Sequence, residues 1–122
     1  MTIERQNLGK TGEEIAVREL ERRGYAILAR RYRTRYGEID IVAQDDETTV
    51  FVEVKARATC EFGTAAEAVT PFKQRRLSRM AVDYVARHGL ELRPCRFDVV
   101  AIDAVGGPSE RVTVYANAFD SV

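Results

Sequence analysis

At 122 residues the chain is long enough for one hydrophobic core, and we expect a single domain over residues 1–122. Its composition, 45% hydrophobic and 31% charged, is typical of soluble globular proteins, and no apolar run reaches the roughly 20 residues that a membrane-spanning helix needs. The formal net charge of zero hides an uneven distribution, because residues 37–54 hold six acidic and no basic residues, while the segments on either side are basic. Basic flanks suit a polyanion and an acidic centre suits a metal ion, although charges that only solvate a small surface give the same pattern.

The cysteines and the N-terminus predict where the protein resides. Cys60 and Cys95 stand alone, without the Cys-x-x-Cys spacing of metal or redox sites. Lone cysteines are typical of a reducing compartment, and the first residues lack the apolar segment of a signal peptide. We therefore expect a cytoplasmic protein with no membrane partner.

Residues 9–23 are predicted to form the first helix. Thr11 stands at the N-cap with Glu14 three residues later, in the pattern of a capping box, and Gly24 is a suitable stop. At about 100° per residue, Glu13 lies in the middle of the apolar stripe of this helix, whereas Glu14 lies towards solvent. The stripe consists of Ala16, Val17 and Leu20. Glu13 is therefore a carboxylate directed at the core side, unless it only complements the helix dipole.

A strand with a basic exit follows at Tyr25–Arg33, and the turn at residues 34–37 leads into the next strand. Arginines and tyrosines are interleaved around this exit. They are Arg30, Arg31, Tyr32, Arg33, Arg35 and Tyr36. Such a cluster can contact phosphates and stack on bases. The alternative is a solvated loop with tyrosines packed beneath it.

The stretch from residue 37 to residue 57 alternates apolar and charged residues with a period of two, which predicts two strands. Turn-forming residues at 44–48 separate the two runs, so the stretch is predicted to be a β-hairpin. The register that keeps apolar residues on one face places Asp40 directly opposite Glu53. The apolar face then holds Ile39, Ile41, Ala43, Val50, Val52 and Val54.

The predicted pair of carboxylates is costly unless a ligand uses it. Directly opposed residues have Cβ atoms about 5 Å apart, and two carboxylates at that distance repel by roughly 3 kcal/mol at an effective dielectric constant near 20. A divalent cation removes this repulsion, and Mg²⁺ typically takes one or two carboxylates together with water and phosphate oxygens. Asp40 and Glu53 are therefore candidate metal ligands, with Lys55 on the face of Glu53 two positions later.

The second helix is predicted to follow a loop at residues 58–69. Thr70 is its N-cap, Pro71 its first helical residue and Gly89 its stop. Its apolar stripe consists of Leu77, Met80, Ala81 and Tyr84. Lys73 lies on this stripe one turn earlier. Three arginines are expected to lie towards solvent, namely Arg75, Arg76 and Arg79.

Two strands complete the predicted elements. They are Arg96–Asp103 and Arg111–Tyr115. The tail after them is expected to place Phe119 against the core. Asp98 is expected to pair with Arg96 or Arg57, with the role of a further metal ligand as the alternative.

A glutamate on the first helix, an aspartate on a strand and Glu-x-Lys on the next strand together resemble the PD-(D/E)xK nuclease superfamily. The residues that match are Glu13, Asp40, Glu53 and Lys55. The hairpin strands look like those of archaeal Holliday-junction resolvases, and almost the whole chain resembles the bacterial YraN-like family of predicted endonucleases. The segments that carry this resemblance are Gly9-x-x-Gly12-Glu13, Gly37–Ala43, Phe51–Arg57, Phe62-Gly63, Lys73, Arg96-Phe97-Asp98 and Asn117-Ala118-Phe119. One departure is Gly37-Glu38, which stands where the superfamily has a proline before the aspartate.

The predicted elements follow one another in the order α-β-β-β-α-β-β. The resemblance implies an α/β, restriction-endonuclease-like fold, with a central mixed five-stranded sheet flanked by helices. It also implies hydrolysis of phosphodiester bonds in DNA, including branched or structured DNA, with Mg²⁺ or Mn²⁺ as cofactor and a homodimer for symmetric substrates. Asp40 and Glu53 would hold the metal ion, with Glu13 as a third ligand. Lys55 would orient the attacking water or stabilise charge on the phosphate. The residues expected to hold nucleic acid are Arg33, Arg35, Arg57 and Lys73.

Two other functions fit the same residues. A non-catalytic module on the same fold would dock nucleic acid or a protein partner without cleaving it. In a purely structural role, Glu53 and Lys55 would form an ordinary ion pair. The presence of Asp40, Glu53 and Lys55 together favours the nuclease.

Overall fold

The structure, a computed structural model, describes residues 3–58 and 69–120, with side chains described from Thr11 onwards. Its elements are α1 (Ile3–Arg22), β1 (Ala26–Thr34), β2 (Gly37–Asp45), β3 (Thr48–Ala56), α2 (Pro71–His88), β4 (Cys95–Asp103) and β5 (Arg111–Phe119). The predicted element order is confirmed. Most of the loop predicted at 58–69, with Cys60, Phe62 and Gly63, lies outside the described residues. No helix in the described part of the chain is long and apolar enough to cross a membrane.

The five strands form one mixed sheet in chain order, β1-β2-β3-β4-β5, which confirms the predicted class. Every neighbouring pair is antiparallel except β3 and β4, which are parallel. A parallel pair needs a crossover, and α2 lies in the connection between these two strands. The helices cover opposite faces, since Ile41 packs in a cluster with Leu20 of α1 and its neighbour Val42 packs in a cluster with Tyr84 of α2.

The first helix begins earlier than the capping pattern predicts. It starts at Ile3, so Thr11 lies inside the helix and is not its N-cap. The residues before Thr11 contain no proline and continue the helix, so helix propensity outweighs the local capping pattern. The predicted end is confirmed, because α1 stops at Arg22 and Gly24 follows with a positive φ of 93°.

A glycine sets the distance between α1 and the sheet. A Cβ atom on Gly12 would lie 2.6 Å from the Cβ atom of Ala56 on β3, closer than side chains tolerate. Only glycine therefore lets α1 approach β3 this closely. The next residue, Glu13, is held over the sheet by the same contact and is only 7% exposed.

The hairpin of β2 and β3 has the predicted register. Its pairs run from Ile41–Val52 at one end to Asp45–Thr48 at the turn. The sequence predicts one apolar and one polar face, but a helix covers each face. Phe51, in the middle of the expected polar face, is buried under α2. Helices on both faces bury side chains of both directions along the central strands.

The alternation of faces breaks at Asp40. Ile39 packs in the α2 cluster, whereas Ile41 packs in the α1 cluster. The prediction that these two residues share a face is therefore wrong. The physical reason is local: neither ladder of β2 pairs Asp40, and its side chain accepts the backbone N–H of Val54 instead.

The second helix and the last strand follow their sequence patterns. Thr70 accepts the backbone N–H of Lys73 at 3.3 Å, and Gly89 ends α2 with a φ of 64°. The predicted apolar stripe of α2 is buried. β5 continues past its predicted end to Phe119, whose ring stacks on Phe97 with the ring centres 5.0 Å apart. The predicted contact of Phe119 with the core is confirmed.

Candidate active site

The candidate active site lies where the ladder between β2 and β3 opens. The regular pairs end at Ile41 and Val52, one pair short of Asp40 and Glu53. Beyond that point the Asp40 carboxylate replaces the backbone ladder, since its Oδ2 accepts the N–H of Val54 at 2.8 Å. Asp40 and Glu53 are therefore not a ladder pair as predicted, but Glu53 remains an electrostatic neighbour of Asp40.

The surroundings of Asp40 oppose its ionisation. Burial, followed by the negative charge of Glu53, raises the pKa of Asp40 to about 7. Glu13 adds repulsion, while the Val54 N–H and the Lys55 ammonium act in the opposite direction without cancelling the effect. A carboxyl with this pKa is about half protonated at neutral pH. Strongly perturbed pKa values cluster at functional sites, which makes Asp40 a candidate functional residue.

Glu53 and Lys55 lie side by side at this opening. They alternate along β3 with Phe51, so their side chains point to the α2 side of the sheet. Lys55 Nζ lies 3.4 Å from Glu53 Oε1, and both side chains are partly buried. The opening therefore holds an ammonium group next to its two carboxylates.

Lys73 reaches the same point from α2. Its amine forms a hydrogen bond with that of Lys55, and this bond, followed by burial, lowers the pKa of Lys73. Burial alone would lower the pKa of Lys55 as well, but the hydrogen bond to Lys73 and the charge of Glu53 outweigh it and raise that pKa. Lys55 is therefore the amine that keeps its proton, and Lys73 is the one that loses its proton more readily.

Glu13 lies on the α1 side, buried as its position on the apolar stripe predicts. Its two oxygens accept hydrogen bonds from Arg30 Nε at 3.1 Å and Arg31 Nε at 2.9 Å. Consecutive strand residues normally point to opposite faces, but Arg31 has a φ of 51°, which brings both guanidinium groups to one carboxylate. The negative charge of Glu13 contributes to the raised pKa of Asp40. Both oxygens of Glu13 are already hydrogen-bonded to the two arginines.

The available donors suit a metal site with two carboxylate ligands. In the described ranges, no three side chains of His, Cys, Asp or Glu are grouped to hold a metal ion. The predicted set of three carboxylates is therefore not assembled, because Arg30 and Arg31 engage Glu13. Mg²⁺ typically takes one or two carboxylates together with water and phosphate oxygens. The residues present fit a divalent cation held by Asp40 and Glu53.

The predicted phosphate-binding arginines differ in their surroundings. Arg57 is ion-paired with Asp103, with Nη2 3.1 Å from Oδ1, and this pair joins the end of β3 to the end of β4. The side chain of Arg33 is 87% exposed, and its Nη2 lies 3.7 Å from Oε2 of Glu38 in a long surface ion pair. The guanidinium of Arg35 lies 5.1 Å from the centre of the Tyr36 ring. Contact of Arg33 and Arg35 with a phosphate stays a prediction, whereas the ion pair of Arg57 with the buried Asp103 favours a structural role.

Three arginines of α2, expected only to be solvated, share a surface with two aromatic residues. Together they line a groove of about 280 Å³, which we name the arginine groove. Its described lining residues are Tyr36, Phe72, Arg75, Arg76 and Arg79. Tyr36 comes from the turn between β1 and β2, so the groove depends on a contact between distant segments. The sequence signal for it is the arginine-rich first half of α2 next to an aromatic residue.

Asp98 is fully buried and is held by protein groups. Its Oδ1 accepts hydrogen bonds from Arg96 Nε at 3.0 Å and from the Asn117 N–H at 2.9 Å, and its Oδ2 accepts one from the Tyr25 hydroxyl at 3.1 Å. Arg96 also pairs with Asp45 at 3.0 Å. The predicted pairing of Asp98 with Arg96 is confirmed, and this network ties β4 to β5 through Asn117 and to β2 through Asp45.

Comparison with known proteins places these residues in a family. The profile of the uncharacterised protein family UPF0102 matches residues 12–102, a range that contains Glu13, Asp40, Glu53 and Lys55. The chain is 48% identical over 114 residues to a UPF0102 protein of Symbiobacterium thermophilum, with 93% of this chain and 97% of the relative covered. It is 46% identical over 113 residues to one of Geobacter sulfurreducens, with 93% and 88% covered. It is 45% identical over 121 residues to one of Geobacter metallireducens, with 98% of each covered.

These matches establish the family and leave the activity open. The likeness to a nuclease superfamily stays a prediction, because none of these relatives is named for an activity. The family-level part of the resemblance is confirmed by the profile match together with relatives that align over nearly the whole chain. The chain belongs to the uncharacterised protein family UPF0102.

Proposed function

We propose that the protein is a nuclease that hydrolyses phosphodiester bonds in DNA, with Mg²⁺ or Mn²⁺ as cofactor and branched or structured DNA as substrate. The observation that carries this proposal is the pair of Asp40 and Glu53, which lie where the ladder between β2 and β3 opens. The pKa of Asp40 is raised to about 7 there. Holding two carboxylates together in a partly buried position costs stability, and a divalent cation can bind both and offset that cost.

A divalent cation bound there would polarise the scissile phosphate and lower the pKa of a bound water. Asp40 and Glu53 are the residues that would hold it. The Val54 N–H fixes the Asp40 carboxylate through Oδ2, so one ligand is oriented before any cation arrives. The protein thus contributes a prepositioned carboxylate next to a second, partly exposed one.

Lys55 is the residue placed to act on the phosphate. Its raised pKa keeps it protonated at neutral pH, and it lies 3.4 Å from Glu53. An ammonium at that position can donate to a phosphate oxygen as negative charge builds up during the reaction. Lys73 supports this role, because its hydrogen bond contributes to the raised pKa of Lys55.

Glu13 joins the site only with substrate in this proposal. Arg30 and Arg31 hold both of its oxygens in the structure. A phosphate competes well with a carboxylate for guanidinium donors, so a DNA backbone that draws either arginine away would release Glu13 towards Asp40. Metal affinity would then be higher in the presence of DNA than in its absence.

A non-catalytic module that binds nucleic acid is the second candidate. The engagement of Glu13 by two arginines, and the lack of a three-ligand group among the described residues, favour it. Such a module would use the arginine groove and leave the carboxylates without a catalytic task. A binding module does not account for the raised pKa of Asp40 beside Glu53, and we therefore prefer the nuclease.

A cleavage panel separates the two candidates. Four-way junctions, flapped duplex, nicked duplex, single-stranded DNA and RNA are incubated with the protein in Mg²⁺, in Mn²⁺ and in EDTA. If the protein is a nuclease, we expect metal-dependent cleavage of at least one DNA substrate. This cleavage should be lost in Asp40→Asn and in Lys55→Met. It should fall far more in Glu13→Gln than in the exposed control Glu14→Gln. Binding of these substrates without cleavage in any metal would instead support the module.

A further inference from the structure

The arginine groove combines positive charge with an exposed aromatic ring. Three of its five described lining residues are arginines and none is acidic. Phe72 is 63% exposed, and the guanidinium of Arg76 lies 5.7 Å from the centre of its ring. An aromatic ring that remains exposed beside cations offers a stacking platform next to phosphate-binding groups.

The same surface continues towards the turn between β1 and β2. A second groove of about 300 Å³ shares Tyr36 and Arg79 with the arginine groove and adds Arg35, whose guanidinium lies 5.1 Å from the centre of the Tyr36 ring. Asp83 also lines this second groove, but its carboxylate is ion-paired with Arg87 at 3.1 Å. The two grooves together form a basic track with two aromatic rings, each close to an arginine.

Tertiary packing builds the wall of the track. Gly37, at the start of β2, has a φ of 136°, and a Cβ atom there would lie 3.5 Å from Met80 Sδ and 3.8 Å from Arg76 Nε. The turn between β1 and β2 therefore packs directly against α2. The spacing between Tyr36 on the turn and the arginines on the helix is set before any ligand binds.

The track adjoins the candidate active site. Arg76 follows Lys73 by three residues on α2, so the two lie on neighbouring turns of one helix face. The pKa of Lys73 is lowered first by its hydrogen bond to Lys55, then by burial and the charge of Lys55, and the charge of Arg76 also contributes. Arg76 in the groove, Lys73 and Lys55 therefore form a continuous row of basic side chains that ends beside Glu53.

We propose that the arginine groove binds a single-stranded segment of nucleic acid, with phosphates on the arginines and an unpaired base stacked on Phe72. Duplex DNA keeps its bases stacked inside the helix, so it cannot offer a base to an exposed ring, whereas every unpaired base has a free face. This inference rests on the proposed function in one respect, that the substrate is nucleic acid. It names the substrate class as one with an unpaired segment beside the bond that is cut.

Binding measured in EDTA tests the proposal without any cleavage step. The probes are fluorescent oligothymidylate, oligouridylate and an abasic deoxyribose-phosphate oligomer of the same length, so that DNA, RNA and the phosphate backbone alone are compared. We expect at least one base-bearing oligomer to bind more tightly than the abasic oligomer. Phe72→Ala should weaken that tighter binding by about fivefold or more and leave abasic binding unchanged.

Two control variants sharpen the result. Leu92→Ala removes a fully exposed apolar side chain outside the groove and should change no affinity. Arg79→Gln should weaken binding of all three probes, whereas Arg18→Gln, exposed on α1 across the sheet, should weaken none. Because Phe72 and Arg79 are exposed, we expect both variants to keep the melting temperature of the wild type.

Equal affinity for the abasic and base-bearing oligomers, with no effect of Phe72→Ala, would overturn the proposal and make the groove a general polyanion surface. The outcome is distinguishable from failure of the nuclease. Base-dependent binding without cleavage would remove the proposed function and keep this inference. If Phe72→Ala cleaves fully duplex DNA at the wild-type rate and binding does not depend on bases, the nuclease proposal is kept and the single-strand inference is removed.

Discussion

At the residue scale, Asp40 occupies a position that costs stability in the metal-free protein. Its carboxyl is partly buried beside Glu53, and its pKa rises from 3.8 to about 7. A change of this size corresponds to a few kcal/mol between the two protonation states. The hydrogen bond from Val54 and the charge of Lys55 reduce the cost without removing it. Asp40 should therefore make a pH-dependent contribution to the stability of the protein.

The sign of that dependence follows from the two pKa values. Asp40 keeps its proton to a higher pH in the folded than in the unfolded state, so the folded state binds more protons between about pH 4 and pH 7. Its contribution to stability is present below this window and is lost as the pH rises through it. Thermal denaturation in EDTA at about pH 5 and pH 8 should show a smaller loss of melting temperature for Asp40→Asn than for wild type.

Glu47→Gln is the matched control for that measurement, because Glu47 is exposed at the turn of the same hairpin. It should follow the pH profile of the wild type. Parallel profiles for wild type and Asp40→Asn would show that Asp40 ionises normally in the folded protein.

At the scale of elements, the contact between α1 and β3 positions Glu13. In a free helix Gly→Ala stabilises by about 1 kcal/mol, but a methyl on Gly12 would overlap Ala56. We therefore expect Gly12→Ala to destabilise the protein by about 1–3 kcal/mol and to reduce cleavage, because Glu13 moves with the helix. Urea denaturation measures the first effect.

Ala56→Gly provides the partner variant in a double-mutant cycle. It removes the methyl that the new side chain would meet, so the double variant should be more stable than the sum of the two single effects predicts. Strictly additive effects would contradict the assignment of Gly12 and Ala56 as the contact that sets the distance between α1 and β3.

The elements also show which features a sequence can predict. The register of the hairpin and both ends of α2 follow from local patterns, with Thr70 and Gly89 at the expected caps. The start of α1 and the face of Ile39 do not. The start of α1 depends on the residues before Thr11, which extend the helix. The face of Ile39 depends on Asp40, which is unpaired in the backbone ladder and accepts the Val54 N–H with its side chain instead.

Some features of the candidate site could also be predicted from the sequence, and others could not. Asp40, Glu53 and Lys55 could be predicted to converge because they lie on one hairpin, and Glu13 because its helix face is apolar. The engagement of Glu13 by Arg30 and Arg31 could not, since it requires a positive φ at Arg31 within a strand. The arginine groove likewise depends on tertiary packing.

At the scale of the whole molecule, equal numbers of acidic and basic residues are arranged as an acidic centre between basic segments. The arginine groove and the Lys55–Lys73 pair place much of the positive charge on the α2 side. When basic side chains contact DNA phosphates, the counterions condensed on the DNA are released, so affinity for DNA should fall steeply as salt concentration rises.

Binding titrations over a range of salt concentrations test this arrangement. Arg33→Gln together with Arg35→Gln should reduce the slope of log affinity against log salt. Arg22→Gln together with Arg23→Gln is the control with the same charge change, at the C-terminal end of α1, where both arginines pair with Glu19. Equal slopes for the two double variants, or binding that ignores salt, would contradict a phosphate-binding role for Arg33 and Arg35.

The central claim is that Asp40 and Glu53 are held together for a divalent cation, and thermal denaturation of wild type and Asp40→Asn in EDTA and in excess Mn²⁺ tests it most directly. Removing one of two like charges should raise the melting temperature of the variant in EDTA, because Asn keeps the shape of Asp. Mn²⁺ should raise the melting temperature of the wild type and leave the variant unchanged, since a ligand stabilises only the state that binds it. A variant that melts lower in EDTA, with a wild type that ignores Mn²⁺, would make Asp40 a structural hydrogen-bonding residue and contradict the metal site.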